Sequence, residues 1–116
     1  MSAVTRPLVI YVDVDDTLVR SFGSKQIPMS SVVERVRALS AEDGVVLYCW
    51  SSGGAEYARE VATRLGIEEH FAGFLPKPNV MLDDVRPEAW RDLVVVHPNE
   101  SGTLDGPSAR TQLGWA

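Results

Sequence analysis

Short, β-branched apolar runs punctuate this chain, and three of them stop abruptly at acids or hydroxyls. Residues 8–12 run into Asp13-Val14-Asp15-Asp16-Thr17, residues 45–50 into Ser51-Ser52, and residues 80–82 into Asp83-Asp84. Apolar runs of this kind are strands buried in a parallel sheet. Residues 71–75 and 93–96 read as two more. Helical periodicity lies between them. Ser31 to Glu34 has capping-box spacing ahead of Val32, Val33, Val36 and Leu39,. Ala58, Val61, Ala62 and Leu65 then recur at helical spacing, with Gly66 as the terminator,. Alternating strands and helices predict an α/β fold, a Rossmann-like three-layer sandwich on a mainly parallel sheet of about five strands. Residues 19–28 predict a loop or small hairpin, and Pro87 opens a short helix through Trp90,.

The 116 residues suit one domain, 1–116, with its core at 8–97 and a mostly irregular tail at 98–116,. A net charge of −5 argues against extended nucleic-acid binding, which needs clustered Lys and Arg,. It leaves a small phosphorylated substrate open. One cysteine, Cys49, excludes an intrachain disulfide,. The N-terminus meets charge too early for a signal peptide, and no apolar run is long enough to span a bilayer,. The expectation is a cytoplasmic protein with no membrane partner.

In a parallel sheet the strand ends share one edge, where open α/β folds bind ligands. Asp13, Asp15, Ser51, Lys77, Asp83 and Asp84 would converge there. Carboxylates packed closely repel one another or recruit a cation. Oxygen ligands without His or Cys suit Mg²⁺. A lysine and a hydroxyl add donors for an anion. Together they outline a site for phosphoryl transfer.

These residues also resemble a known family. The apolar strand followed by Asp13-Val14-Asp15-Asp16-Thr17-Leu18 is similar to the first motif of the haloacid dehalogenase (HAD) superfamily. Ser51, Lys77-Pro78 and Asp83-Asp84 resemble its second, third and fourth motifs, in the right order. The resemblance implies a phosphatase in which Asp13 is the nucleophile and forms an aspartyl-phosphate. It implies that Asp15 serves as general acid and then general base. Ser51 and Lys77 would hold the phosphoryl oxygens. Mg²⁺ would lie between the Asp13 carboxylate, the Asp15 carbonyl and a carboxylate of Asp83 or Asp84. Thr17 would steady the loop. The family's common glycine after the second acid is Asp16 here.

Neither the segment between Thr17 and Ser51 nor that between Ser51 and Lys77 is long enough for the family's cap domain. The expected site is therefore open, with a phosphorylated substrate of unspecified identity. A homodimer would be one way to cover it. The alternative is a weakly active or inactive binding or regulatory module. A phospho-receiver domain fits less well, because receivers carry the phosphorylated Asp after the third strand.

Overall fold

The computed structural model describes residues 6–115. It is an α/β structure whose elements are β1 (Leu8–Asp13), β2 (Val19–Phe22), β3 (Lys25–Pro28), α1 (Ser30–Ser40), β4 (Val45–Ser51), α2 (Ala55–Arg64), β5 (Gly73–Pro76) and α3 (Gly106–Gln112). A three-stranded parallel sheet has the order β1-β4-β5. The β2–β3 pair is an antiparallel hairpin turning at Gly23 (φ 64°).

The strand order runs one way, so right-handed crossovers place α1 and α2 on the same face. Val32, Val33, Val36 and Leu39 of α1 join Ala58, Val61 and Ala62 of α2 in one core with Val12, Leu47 and Cys49 of the sheet. Alternation along β1 turns Val9 and Tyr11 to the other face, where they are 52% and 46% exposed,. Tyr11 meets Tyr48 and stacks edge-on against Trp50 on that face. Two layers are thus formed among the described residues, in place of the three expected.

The sheet also has three parallel strands rather than about five. Residues 80–82 and 93–96 are irregular, with Val80 and Val95 each more than 85% exposed and Leu82 fully so. The physical reason lies in their length and isolation. Runs of three or four apolar residues are shorter than the usual strand, and unlike the four-residue strands β2, β3 and β5 they have no paired neighbour among the described residues whose ladder bonds would offset the entropy of fixing them,. The radius of gyration, 14.8 Å, exceeds the roughly 13 Å of a fully compact chain of this length.

Helix α1 lacks the expected capping box. It begins at Ser30 after Met29, with no side-chain cap, and Glu34 pairs with Arg37 at 3.5 Å. Met29 N donates to Leu18 O at 2.8 Å, so the hairpin's return pins the helix entry and leaves Ser31 inside the first turn. Helix α2 starts after Gly54 and ends before Gly66 (φ 72°) as its glycines dictate.

The segment expected to be mostly irregular, 98–116, holds a 3-10 turn (Pro98–Thr103) and α3. Asp105 accepts from Ser108 N at 2.8 Å, Ser108 answers with its own side chain, and Pro107 lies in the first turn. The chain beyond α3 is tied back to β1. Trp115 donates to Asp92 at 3.0 Å, Arg6 pairs with Asp92 at 3.3 Å, and the Arg6 guanidinium lies 3.8 Å from the Trp115 ring.

The bonds from Trp115 and then Arg6 hold the Asp92 carboxyl below its ordinary range. A carboxyl depressed in the folded state stabilises above its unfolded value and loses that contribution as pH falls through the folded one. The pair is exposed, so the effect should be small. Melting scans between about pH 5 and pH 2 should show wild type losing slightly more stability than Asp92→Asn. Parallel curves would show that the contact adds nothing.

Candidate functional site

Register brings the first three motifs to one edge. Asp13 ends β1 opposite Trp50 of β4, Trp50 lies opposite Leu75 of β5, and Ser51 lies opposite Pro76. Lys77 N donates to Ser51 O at 2.9 Å, locking the residue after β5 to the end of β4. The Lys77 ammonium reaches back across β4 to Asp13 Oδ1 at 3.1 Å. Lys77 and Asp13 side chains are 36% and 31% exposed, so the pair remains open to solvent. Lys77 Nζ also lies 5.7 Å from the centre of the Trp50 ring.

The loop that presents Asp13 and Asp15 is held from within. Val14 and Leu18 are completely buried. Val14 O accepts from the N–H groups of Thr17, Leu18 and Val19, wrapping the loop into a tight turn. Asp16 adopts φ 61°, the one non-glycine residue in the left-handed region among those described. Aspartate tolerates that conformation better than most side chains, which accounts for an acid where the resemblance leads one to expect glycine. Thr17 Oγ1 donates to Asp13 Oδ2 at 3.3 Å, so both oxygens of Asp13 are engaged.

Ser51 is buried, and its Oγ accepts from Gly53 N at 3.0 Å. As an acceptor there, the hydroxyl keeps its own O–H to donate. Helix α2 begins after Gly54 with no side-chain cap, so neither Ser51 nor Ser52 caps it. Beneath the site, Cys49 is buried, and its thiol is pushed up to about 12, first by burial and then by the Asp13 charge. It is an inert part of the core.

Asp15 lies on the exposed side of the loop, and its Oδ1 accepts from Tyr57 at 2.7 Å. Neither Tyr57 nor its partner Gln26 stands out in the sequence. Tyr57 is in the first turn of the helix that leaves the Ser51 strand end, and that position is the only signal that could have found it. Burial and then the bond to Asp15 raise its phenol above the ordinary range.

Asp83 and Asp84 do not join this group. They are exposed in the irregular segment, and Asp83 Oδ1 accepts from Val85 N at 2.9 Å, closing a local turn. Among the described residues, no three His, Cys, Asp or Glu side chains are clustered to hold a metal ion. Asp13, engaged by Lys77 and Thr17, and Asp15, engaged by Tyr57, are two carboxylates of such a set, and among the described residues no third one completes it.

The chain matches no protein-family model, no curated protein and no solved structure. The chemistry of the site is therefore argued from its geometry. A partly exposed carboxylate stands beside an ammonium, with a second carboxylate two residues away and a buried serine at the neighbouring strand end. The exposed Lys77 ammonium can receive an anion beside the Asp13 carboxylate. None of the described helices is long and apolar enough to cross a membrane.

Proposed function

We propose that this chain is a phosphomonoester hydrolase of the haloacid dehalogenase type, working through an aspartyl-phosphate on Asp13. The observation that carries the reading is the Asp13–Lys77 contact of 3.1 Å at the shared strand edge, next to Ser51. An ammonium already directed at the nucleophile's oxygen would meet the phosphoryl oxygens of an ester docked against Asp13. Ser51 would add a donor from the neighbouring strand end.

In the first step an Asp13 oxygen attacks phosphorus and the P–O bond to the alcohol breaks. Protonated Asp15 gives the leaving oxygen its proton. In the second step Asp15, now a carboxylate, takes a proton from water as that water attacks phosphorus. The P–O bond to Asp13 breaks, inorganic phosphate leaves and Asp15 is protonated again. Lys77 offsets the charge gathered on the phosphoryl oxygens in both transition states. The test is hydrolysis of p-nitrophenyl phosphate by purified protein with Mg²⁺, lost in Asp13→Asn.

Mg²⁺ is the expected cofactor, and it would offset the repulsion between phosphate and carboxylates. We propose that residues 80–84 fold back over the shared strand edge when it binds, bringing Asp83 or Asp84 toward Asp13 and Asp15. The exposed Val80, Met81 and Leu82 support this, since they leave apolar side chains uncovered in the irregular segment between Lys77 and Asp83,. Adding Mg²⁺ should slow amide hydrogen exchange across residues 80–84 by at least about tenfold, and EDTA should reverse it. Unchanged exchange at saturating Mg²⁺ would remove this folding step.

A second reading, a binding or regulatory module with little turnover, draws on the same separation of Asp83 and Asp84 from the site. Phosphate-ester binding without hydrolysis, across a broad panel, would favour it.

A further inference from the structure

A row of side chains connects the hairpin to Asp15. Arg64 of α2 donates to Gln26 Oε1 at 2.7 Å, Gln26 Nε2 donates to Tyr57 Oη at 2.7 Å, and Tyr57 donates to Asp15 Oδ1 at 2.7 Å. Every donor points the same way, from a guanidinium toward a carboxylate, so each bond polarises the next. The chain spans β3, α2 and the loop after β1. Sequence separations of 31 and 42 residues make these bonds tertiary rather than local.

The Tyr57 ring is also fitted to its place. A Cβ at Gly53 would sit 2.8 Å from Tyr57 Cδ2 and 3.4 Å from Ser51 Oγ. The bare glycine lets the ring lie against the turn that carries Ser51. The phenol is thus held from below by the Ser51 turn and from above by the hairpin.

We infer that Tyr57 is a positioning residue that aims the Asp15 carboxylate, and that Gln26 makes its hold depend on the β2–β3 hairpin. The kinetic consequence rests on the phosphatase reading proposed above, whereas the contact itself rests on geometry alone. A carboxylate two residues beyond a strand end, on an exposed loop, has several rotamers open to it. One bond from a fixed phenol selects the orientation in which Asp15 can meet a leaving oxygen.

Two substitutions separate the acid from the hairpin. Tyr57→Phe removes only the hydroxyl, so both Asp15 and Gln26 lose their partner. Gln26→Glu is nearly isosteric and still accepts from Arg64. It can no longer donate to Tyr57, and it competes with Asp15 for the single phenolic proton. The hairpin stays held while Asp15 is released.

The kinetic readout is kcat/KM on an alkyl phosphate and on p-nitrophenyl phosphate, which reports steps up to departure of the alcohol. An alkoxide needs the proton from Asp15 and a nitrophenolate barely does. Both variants should lose about tenfold on the alkyl ester and under about twofold on the aryl ester. Equal losses on both esters, or no loss, would overturn the inference. Two measurements need no turnover. The Asp15 carboxylate carbon resonance at neutral pH, assigned with Asp15→Asn, should move in both variants. Amide exchange in the hairpin should quicken in Tyr57→Phe and stay slow in Gln26→Glu. An unmoved resonance, or hairpin exchange indifferent to Tyr57→Phe, refutes the positioning role. A wild-type protein that hydrolyses no ester refutes the phosphatase reading and leaves these two results to decide Tyr57.

Discussion

Asp13→Asn should lower phosphate-ester turnover by at least about a thousandfold while the protein stays folded. The amide oxygen is a poor nucleophile, and a phosphorylated amide is not a serviceable intermediate. Among the described residues, no nearby group is placed to substitute. Asp15 is turned to Tyr57, Ser51 accepts from Gly53 N, and Cys49 is buried beneath the strand end. The structural cost should be modest. Asparagine keeps an oxygen for Lys77 or Thr17, and the ion pair it gives up is a partly exposed one, worth about 1 kcal/mol at most. The melting temperature and the rate should therefore part company. Beryllium fluoride with Mg²⁺, a mimic of the acyl-phosphate, should raise the melting temperature of wild type by ligand linkage and leave the variant unmoved. A variant retaining more than a few per cent of the wild-type rate would place the nucleophile elsewhere.

The fold was legible where a run of residues had one dominant demand. Residues 8–12 and 45–50 read as strands, and they form the paired strands β1 and β4, buried on one face only. Ala58, Val61 and Ala62 fell on one helical face and are buried there. The contact between Asp13 and Lys77 followed from strand ends sharing an edge. Failure came where local and long-range terms were nearly balanced. Residues 80–82 are apolar enough to suggest a strand but too few to hold one without a partner. Ser31 and Glu34 had capping-box spacing, yet the bond from Met29 to Leu18 fixed the helix start two residues earlier. Asp105 and Ser108 had an equally good cap signature, hidden in a stretch whose Gly and Pro read as loop. Tyr57 and Gln26 were invisible for a different reason. Their role is a tertiary contact, and no period or spacing in one chain records which polar side chains will meet.

The loop bearing the carboxylates should prove to be a stability element as well as a chemical one. Leu18→Ala is expected to cost about 2–5 kcal/mol, a large part of the 5–15 kcal/mol available to a domain of this size. Leu18 is completely buried, its N–H bonds Val14 O at 2.8 Å, and its O receives Met29 N. Its side chain therefore joins the Asp13–Thr17 turn to the same core as α1. Truncation leaves a void that the tightly bonded turn can relax into only by shifting Asp15 and the hairpin. Urea unfolding should show a lower midpoint with an unchanged slope. Where the protein is still folded, turnover should fall too, because the carboxylates lose their fixed bearing. The comparison is Leu82→Ala, a leucine of equal size that is fully exposed. Without Mg²⁺ it should change stability by less than about 0.5 kcal/mol. A Leu18→Ala cost as small as that would mean the loop is not anchored by its apolar residues, and that the positions of Asp13 and Asp15 are set by their polar contacts instead.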